Sequence, residues 1–222
     1  MIQGALFDLD GVIADTSVYH FQAWRALIQT NFHKKLPDEL EQRTKGVSRA
    51  DSLQAILDFL QIDVPQKQFE QLMIEKNQLY LQSLEQLQPK DTLPGIVALL
   101  EALQAQKIKI ALASASRNAP TILAKLQLTD YFAAIADPAQ VQAGKPAPDI
   151  FLAAAQGIAV APKDCIGIED SIAGIQAINA AQAFSVGVGS AQELGAADLL
   201  VDDTSQLKLD IIQTQFAKHI QN

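Results

Sequence analysis

Apolar and polar positions along the chain follow two rhythms. Short apolar runs closed by a turn or an acid occur at Ile2 to Phe7, Ile108 to Ala113, Cys165 to Ile168, Phe184 to Val188 and Leu199 to Val201. Runs of this length and ending read as buried strands. Tyr131 to Ile135 reads as one more short strand. Between them, apolar residues recur at helical spacing over Ile96 to Leu103, Pro120 to Leu126, Asp149 to Ala155, Ile172 to Ala180 and the tail after Ser205. Strands alternating with helices imply a parallel sheet covered on both faces. The expected class is therefore α/β, with a doubly wound, Rossmann-like core.

One stretch breaks this alternation. From Asp15 to about Gln88 only the helical rhythm is present: Phe21, Trp24, Leu27 and Ile28, then Leu53, Ile56, Leu57 and Leu60, then Phe69, Leu72, Leu79 and Tyr80. Thr16 or Ser17 can cap the first of these helices, and Pro65 suits a helix start. Pro89 and Pro94-Gly95 punctuate the return. The expected organisation is a core of residues 1–14 and 89–222 with a helical cap of residues 15–88 inserted after the first strand. The two connections, near Asp15 and Gln88, are natural hinges. A cap closing there would keep water from a reaction in the cleft.

Composition narrows the classes. Of 222 residues, 49% are hydrophobic and 19% charged, as in an ordinary globular protein, and the formal net charge is −8. That balance disfavours nucleic acid as a partner. No apolar run approaches the ~20 residues that span a bilayer, and the opening residues lack the basic start of a leader. The single cysteine, Cys165, sits in an apolar run and reads as a buried structural thiol. It fits a reducing, cytoplasmic setting.

Candidate chemistry clusters at strand ends, where α/β sheets bind ligands. Asp8 and Asp10 close the first strand before Gly11. Alternate strand residues share a face, so two acids there repel unless a cation or a proton intervenes. Oxygen ligands suit magnesium, although one Asp at such a place can simply serve a turn. Ser114-Ala115-Ser116 follows the second strand and can cradle a phosphate or cap a helix. Lys145 lies between Gly144 and Pro146 and reads either as a surface lysine or as a point charge for a phosphoryl group. Lys145-Pro146 is a candidate cis bond. Glu169 and Asp170 end another apolar strand, where Asp170 can meet Asp8 around a metal or cap the next helix.

These four sites, in this order, resemble the haloacid dehalogenase-like superfamily, and the helical insert fits its small-cap subgroup. Asp8-Leu9-Asp10-Gly11-Val12-Ile13, Lys45-Gly46-Val47-Ser48-Arg49, Ala113-Ser114-Ala115-Ser116 and Lys145-Pro146-Ala147-Pro148 extend the resemblance to its sugar-phosphomutase branch over nearly the whole length. Arg117 stands where Lys or Arg is expected. Ile172 departs from the more common Gln or similar residue, and the pattern is weakest over Asn31 to Arg43 and in the tail.

The resemblance implies interconversion of β-glucose 1-phosphate and glucose 6-phosphate through β-glucose 1,6-bisphosphate. By it, Asp8 is the nucleophile and Asp10 the general acid and base, positioned by Thr16 and His20. Magnesium is held by Asp8, Asp10 (through its backbone carbonyl), Glu169 and Asp170. Ser114, Ala115 and Lys145 contact the transferring phosphoryl group. Arg49 clamps the second phosphate, with Lys45, Gly46, Val47, Ser48, Ser52 and Lys76 on the sugar side and Ser116, Arg117 and Asn118 facing them. Spacing alone makes Trp24 a cap-core residue, with a place at the sugar wall as its other reading, and makes Arg49 and Lys76 solvated surface. His20 alone reads as a packed helix residue, and His33 and His219 as surface. A phosphatase of the same superfamily is the alternative function. Small sugar phosphates are the expected partners of a monomer.

Overall fold

The computed structural model describes residues 1–221. In chain order it contains β1 (Gly4–Phe7), α1 (Ser17–Phe32), α2 (Leu40–Thr44), α3 (Arg49–Leu60), α4 (Gln66–Ser83), α5 (Ile96–Ala105), β2 (Lys109–Leu112), α6 (Ala119–Lys125), β3 (Ala134–Ile135), α7 (Asp149–Gly157), β4 (Cys165–Glu169), α8 (Ile172–Ala180), β5 (Phe184–Val188), α9 (Ala191–Leu194), β6 (Leu199–Val201) and α10 (Leu209–Gln221). The strands form one parallel sheet in the order β3-β2-β1-β4-β5-β6. The order reverses at β1, so the crevice beside its carboxyl end is the switch point where such sheets bind ligands.

Two apolar clusters cover the two faces of this sheet. One joins Phe7, Ile110, Leu112, Ile166, Ile168 and Val186 to α5, α6 and α10; the other joins Leu6, Ala111 and Cys165 to α7 and α8. β1 is buried on both sides at every position, which is why it reads as an unbroken apolar run rather than an alternating one.

Helices α1 to α4 have a cluster of their own, with Phe21, Trp24, Leu27, Ile28, Leu53, Ile56, Leu57 and Leu72 buried together. Two short helices had no clear periodic signal. α2 has five residues and α9 four, too few for a helical repeat to show. The strand expected from Tyr131 shrinks to Ala134–Ile135, because Thr129–Tyr131 forms a 3-10 turn. Thr16 precedes α1 but makes no capping bond; its hydroxyl is used elsewhere. Lys145-Pro146 is cis. Cys165 is buried, and burial pushes its thiol up to about 12. No helix is long and apolar enough to cross a membrane among the described residues.

Candidate active site

Asp8 lies one residue past β1, still tied to the sheet by its amide, which donates to the Ile168 carbonyl at 3.0 Å. Its carboxylate is buried, and Lys145 Nζ donates to it at 2.5 Å and to Glu169 Oε2 at 2.7 Å. Glu169 also accepts from the Asp170 and Ser171 amides and from the Ser171 hydroxyl. Asp170 Oδ2 pairs with Lys45 Nζ, from the helical insert, at 2.7 Å. Asp170 Oδ1 is buried with no hydrogen-bond partner. Gly11 makes this crowding possible: its φ is +82°, and a Cβ there would stand 1.6 Å from Asp170 Oδ2.

Burial pushes the Asp8 carboxyl well above the usual range, Glu169 adds to the rise, and Lys145 opposes it. Asp170 is pushed up to about 7, chiefly by burial. Burial would lower Lys145, but Asp8 and Glu169 outweigh it and the lysine stays cationic. Asp8, Glu169 and Asp170 each offer an oxygen within 4.8 Å of the others. An oxygen-only set with a buried carboxylate oxygen unpartnered fits a hard divalent cation such as magnesium.

Asp10 sits at the same mouth. The Thr16 hydroxyl donates to Asp10 Oδ1 at 2.5 Å, which is where the missing cap bond went. His20 Nε2 stands 3.7 Å from the same oxygen. Lys76 Nζ meets His20 Nδ1. An ammonium can only donate, so with Lys76 charged Nδ1 accepts, and the ring's own proton is on Nε2, toward Asp10. Below this relay Tyr80 stacks on His20 with centroids 3.8 Å apart. Lys76 Nζ lies 4.9 Å from the Trp24 ring and 4.8 Å from the Tyr80 ring. Burial raises Asp10, against which Thr16 and Lys76 act. Burial, then Lys76 and Arg49, hold His20 well below its ordinary value.

The cleft is lined by Asp8, Asp10, His20, Trp24, Lys45, Gly46, Val47, Arg49, Ser52, Lys76, Ala115 and Ser116. Arg49 is lowered by burial and by the neighbouring Arg117. Ser114 Oγ accepts from the Ser116 amide at 3.0 Å. Ser52 donates to the Ser48 and Thr44 carbonyls, bracing the loop that carries Lys45 to Ser48.

Some expected residues stand off this cavity. Ser48 caps α3, accepting from the Asp51 amide, and with Arg117 it lines an adjoining groove. Thr16 and Lys145 act on the cleft through Asp10 and Asp8. Trp24 is both cap core and cleft wall. His219, read as plain surface, is half exposed but pairs with Asp198 at 3.2 Å and packs edge-on against Phe184. Sequence reasoning missed Ser17, Phe21, Glu41 and Thr44 in the lining, and it missed Asn77, which accepts from Arg49 and Asn118. Tyr80 was legible as an apolar helix position. Its spacing of four from Lys76, which puts both on one helical face, carried the rest.

A sequence profile of the haloacid dehalogenase-like hydrolases matches residues 2–182. The chain belongs to that family. Within it, the chain is 44% identical over 220 residues to the β-phosphoglucomutase of Bacillus subtilis, covering 98% of this chain and 97% of that one. A crystal structure of β-phosphoglucomutase from Clostridium difficile superimposes with a TM-score of 0.97 at 42% identity, covering all of both chains. The phosphorylated carbohydrates phosphatase of Thermotoga maritima is 30% identical, covering 81% of this chain and 82% of that one.

Proposed function

We infer that this protein is a β-phosphoglucomutase, an isomerase that interconverts β-glucose 1-phosphate and glucose 6-phosphate. One observation carries the reading beyond the relatives' names. Two cations serve the cleft from separate places: Lys145, bonded to Asp8, and Arg49, on the lining contributed by the helical insert. A mutase that works through a bisphosphate needs both at once.

Asp8 attacks the transferring phosphorus and becomes an aspartyl phosphate. Lys145, Ser114 and the Ala115 amide hold the phosphoryl oxygens, where positioning and charge carry most of the catalysis. Asp8, Glu169, Asp170 and the Asp10 carbonyl would hold magnesium, which when bound neutralises charge on the phosphoryl group. Asp10 takes the proton from the attacking sugar hydroxyl and returns it to the leaving one. Thr16, and His20 set by Lys76, fix its carboxylate for both tasks. The phosphoenzyme phosphorylates C6 of β-glucose 1-phosphate. The bisphosphate then reverses in the cleft and returns its C1 phosphate to Asp8, leaving glucose 6-phosphate. Arg49, with Ser116, Arg117 and Asn118, grips whichever phosphate is not reacting, and Lys45, Gly46, Val47, Ser48, Ser52 and Lys76 surround the sugar.

In this reading residues 15–88 are a cap, hinged near Asp15 and Gln88 on a core of residues 1–14 and 89–222. In this reading the protein acts as a cytoplasmic monomer: one chain supplies every residue named above, and a lone cysteine suits a reducing compartment. The likeness to a carbohydrate phosphatase supports the other reading, transfer of the phosphoryl group to water. Phosphorus NMR with magnesium, β-glucose 1-phosphate and a trace of glucose 1,6-bisphosphate separates the two. Glucose 6-phosphate should grow. Inorganic phosphate alone would refute the mutase. The α anomer should not be turned over. Arg49→Ala should raise KM and lower kcat together, because remote binding energy drives closure.

A further inference from the structure

We propose that Asn77 is a positioning residue that aims the Arg49 guanidinium at the second phosphate and joins the helical insert to the core at that spot. The proposal rests on the reading of Arg49 as the phosphate clamp.

Asn77 lies on α4, one residue beyond Lys76. Its Oδ1 accepts from Arg49 Nη2 at 2.7 Å and from Asn118 Nδ2 at 2.9 Å. Arg49 is the first residue of α3, and Asn118 immediately precedes α6 of the core. One carbonyl oxygen therefore joins three helices across the two halves of the chain. Each donor uses only part of its capacity. A guanidinium has five N–H groups, so holding Nη2 fixes the plane of the fork and leaves its other donors for a ligand. Arg49 needs such a hold, because Arg117 repels it and no carboxylate pairs with it among the described residues. A neutral acceptor is the appropriate chemistry. A carboxylate at position 77 would also orient the arginine but would cancel the charge that draws an anion. The bond from Asn118 exists only with insert and core together, so the same oxygen that aims the arginine within the insert also ties it to the core. An arginine left free to swing must lose that freedom on each binding event, and prior orientation removes part of the cost.

The test is a double-mutant cycle on glucose 6-phosphate binding, read by titration calorimetry on the magnesium-loaded protein, with kcat and KM measured beside it. Asn77→Ala should weaken binding about tenfold, the range for a hydrogen bond to a charged group. KM should rise and kcat fall together, in the same sense as for Arg49→Ala. In an Arg49→Ala background the same change should cost less than twofold. Asn77→Leu, close in volume and without the acceptor, should repeat the result if the alanine variant folds poorly. Equal losses in both backgrounds, or no loss in either, would overturn the proposal. The cycle reads binding, so it stands apart from the function reading; wild-type protein that makes only inorganic phosphate would sink the mutase and leave the Asn77 result intact.

Discussion

Lys76 ought to make the free protein less stable. It is almost wholly buried, and burial, with Arg49 nearby, lowers it from 10.5 to about 7. At about 1.4 kcal/mol per pH unit, that difference costs the fold roughly 5 kcal/mol when fully expressed. The cost is complete below about pH 7, where the folded protein must hold a charge it disfavours. It shrinks as pH rises and is gone above the unfolded value of 10.5. Stability should therefore rise with pH across that window, because the unfolded chain binds the proton that the folded chain releases. At pH 7.5 about 4 kcal/mol remains. Lys76→Met keeps the stem and removes the charge. It forfeits the contacts with Trp24 and Tyr80, worth about 0.5–2 kcal/mol each. The net gain is about 0–3 kcal/mol, or up to roughly 1.5 M in urea midpoint at a slope of about 2 kcal/mol/M. Urea titrations from pH 7 to 9.5 should show the wild-type midpoint climbing toward that of the variant. Sugar phosphate should raise the wild-type midpoint more than the variant's, because the ligand supplies the missing negative charge. A variant less stable than wild type at pH 7.5, or pH profiles running parallel, would refute the reasoning.

Asp8→Asn should lower turnover roughly 10⁴-fold or more, with the aspartyl phosphate missing from the mass spectrum; residual turnover within tenfold of wild type would remove the covalent step. Thr16→Val takes away the donor to Asp10 and should lower kcat about tenfold or more with KM nearly constant, which steady-state kinetics can check. Gly46→Ala should raise KM about tenfold. Its φ is +73° and a Cβ would stand 2.2 Å from Ser171 Oγ, so the loop carrying Lys45 would lift from the core; a KM within twofold of wild type would contradict that seating.

The sequence alone determined the layers and the place where the acids of the core mouth gather. β1, β2, β4 and β5 are buried between helices, so each shows as an apolar run, and acids ending two such runs could only be where strand ends converge. What it left undecided depended on partners distant in the chain. Asp10 meets Thr16 six residues on, yet the relay behind it needs Lys76, which is 56 residues from His20. By spacing, Lys76 and Arg49 are surface residues on amphipathic helices; only the packing of α4 on α1, with the core beneath, buries one and turns the other inward. Asn77 is the extreme case. A polar residue on a helix carries no pattern that distinguishes water from two donors on separate helices, 28 and 41 residues away. Periodicity reports which face of an element is buried. It does not report which polar groups another element brings to meet that face, because closing so long a loop depends on the whole fold.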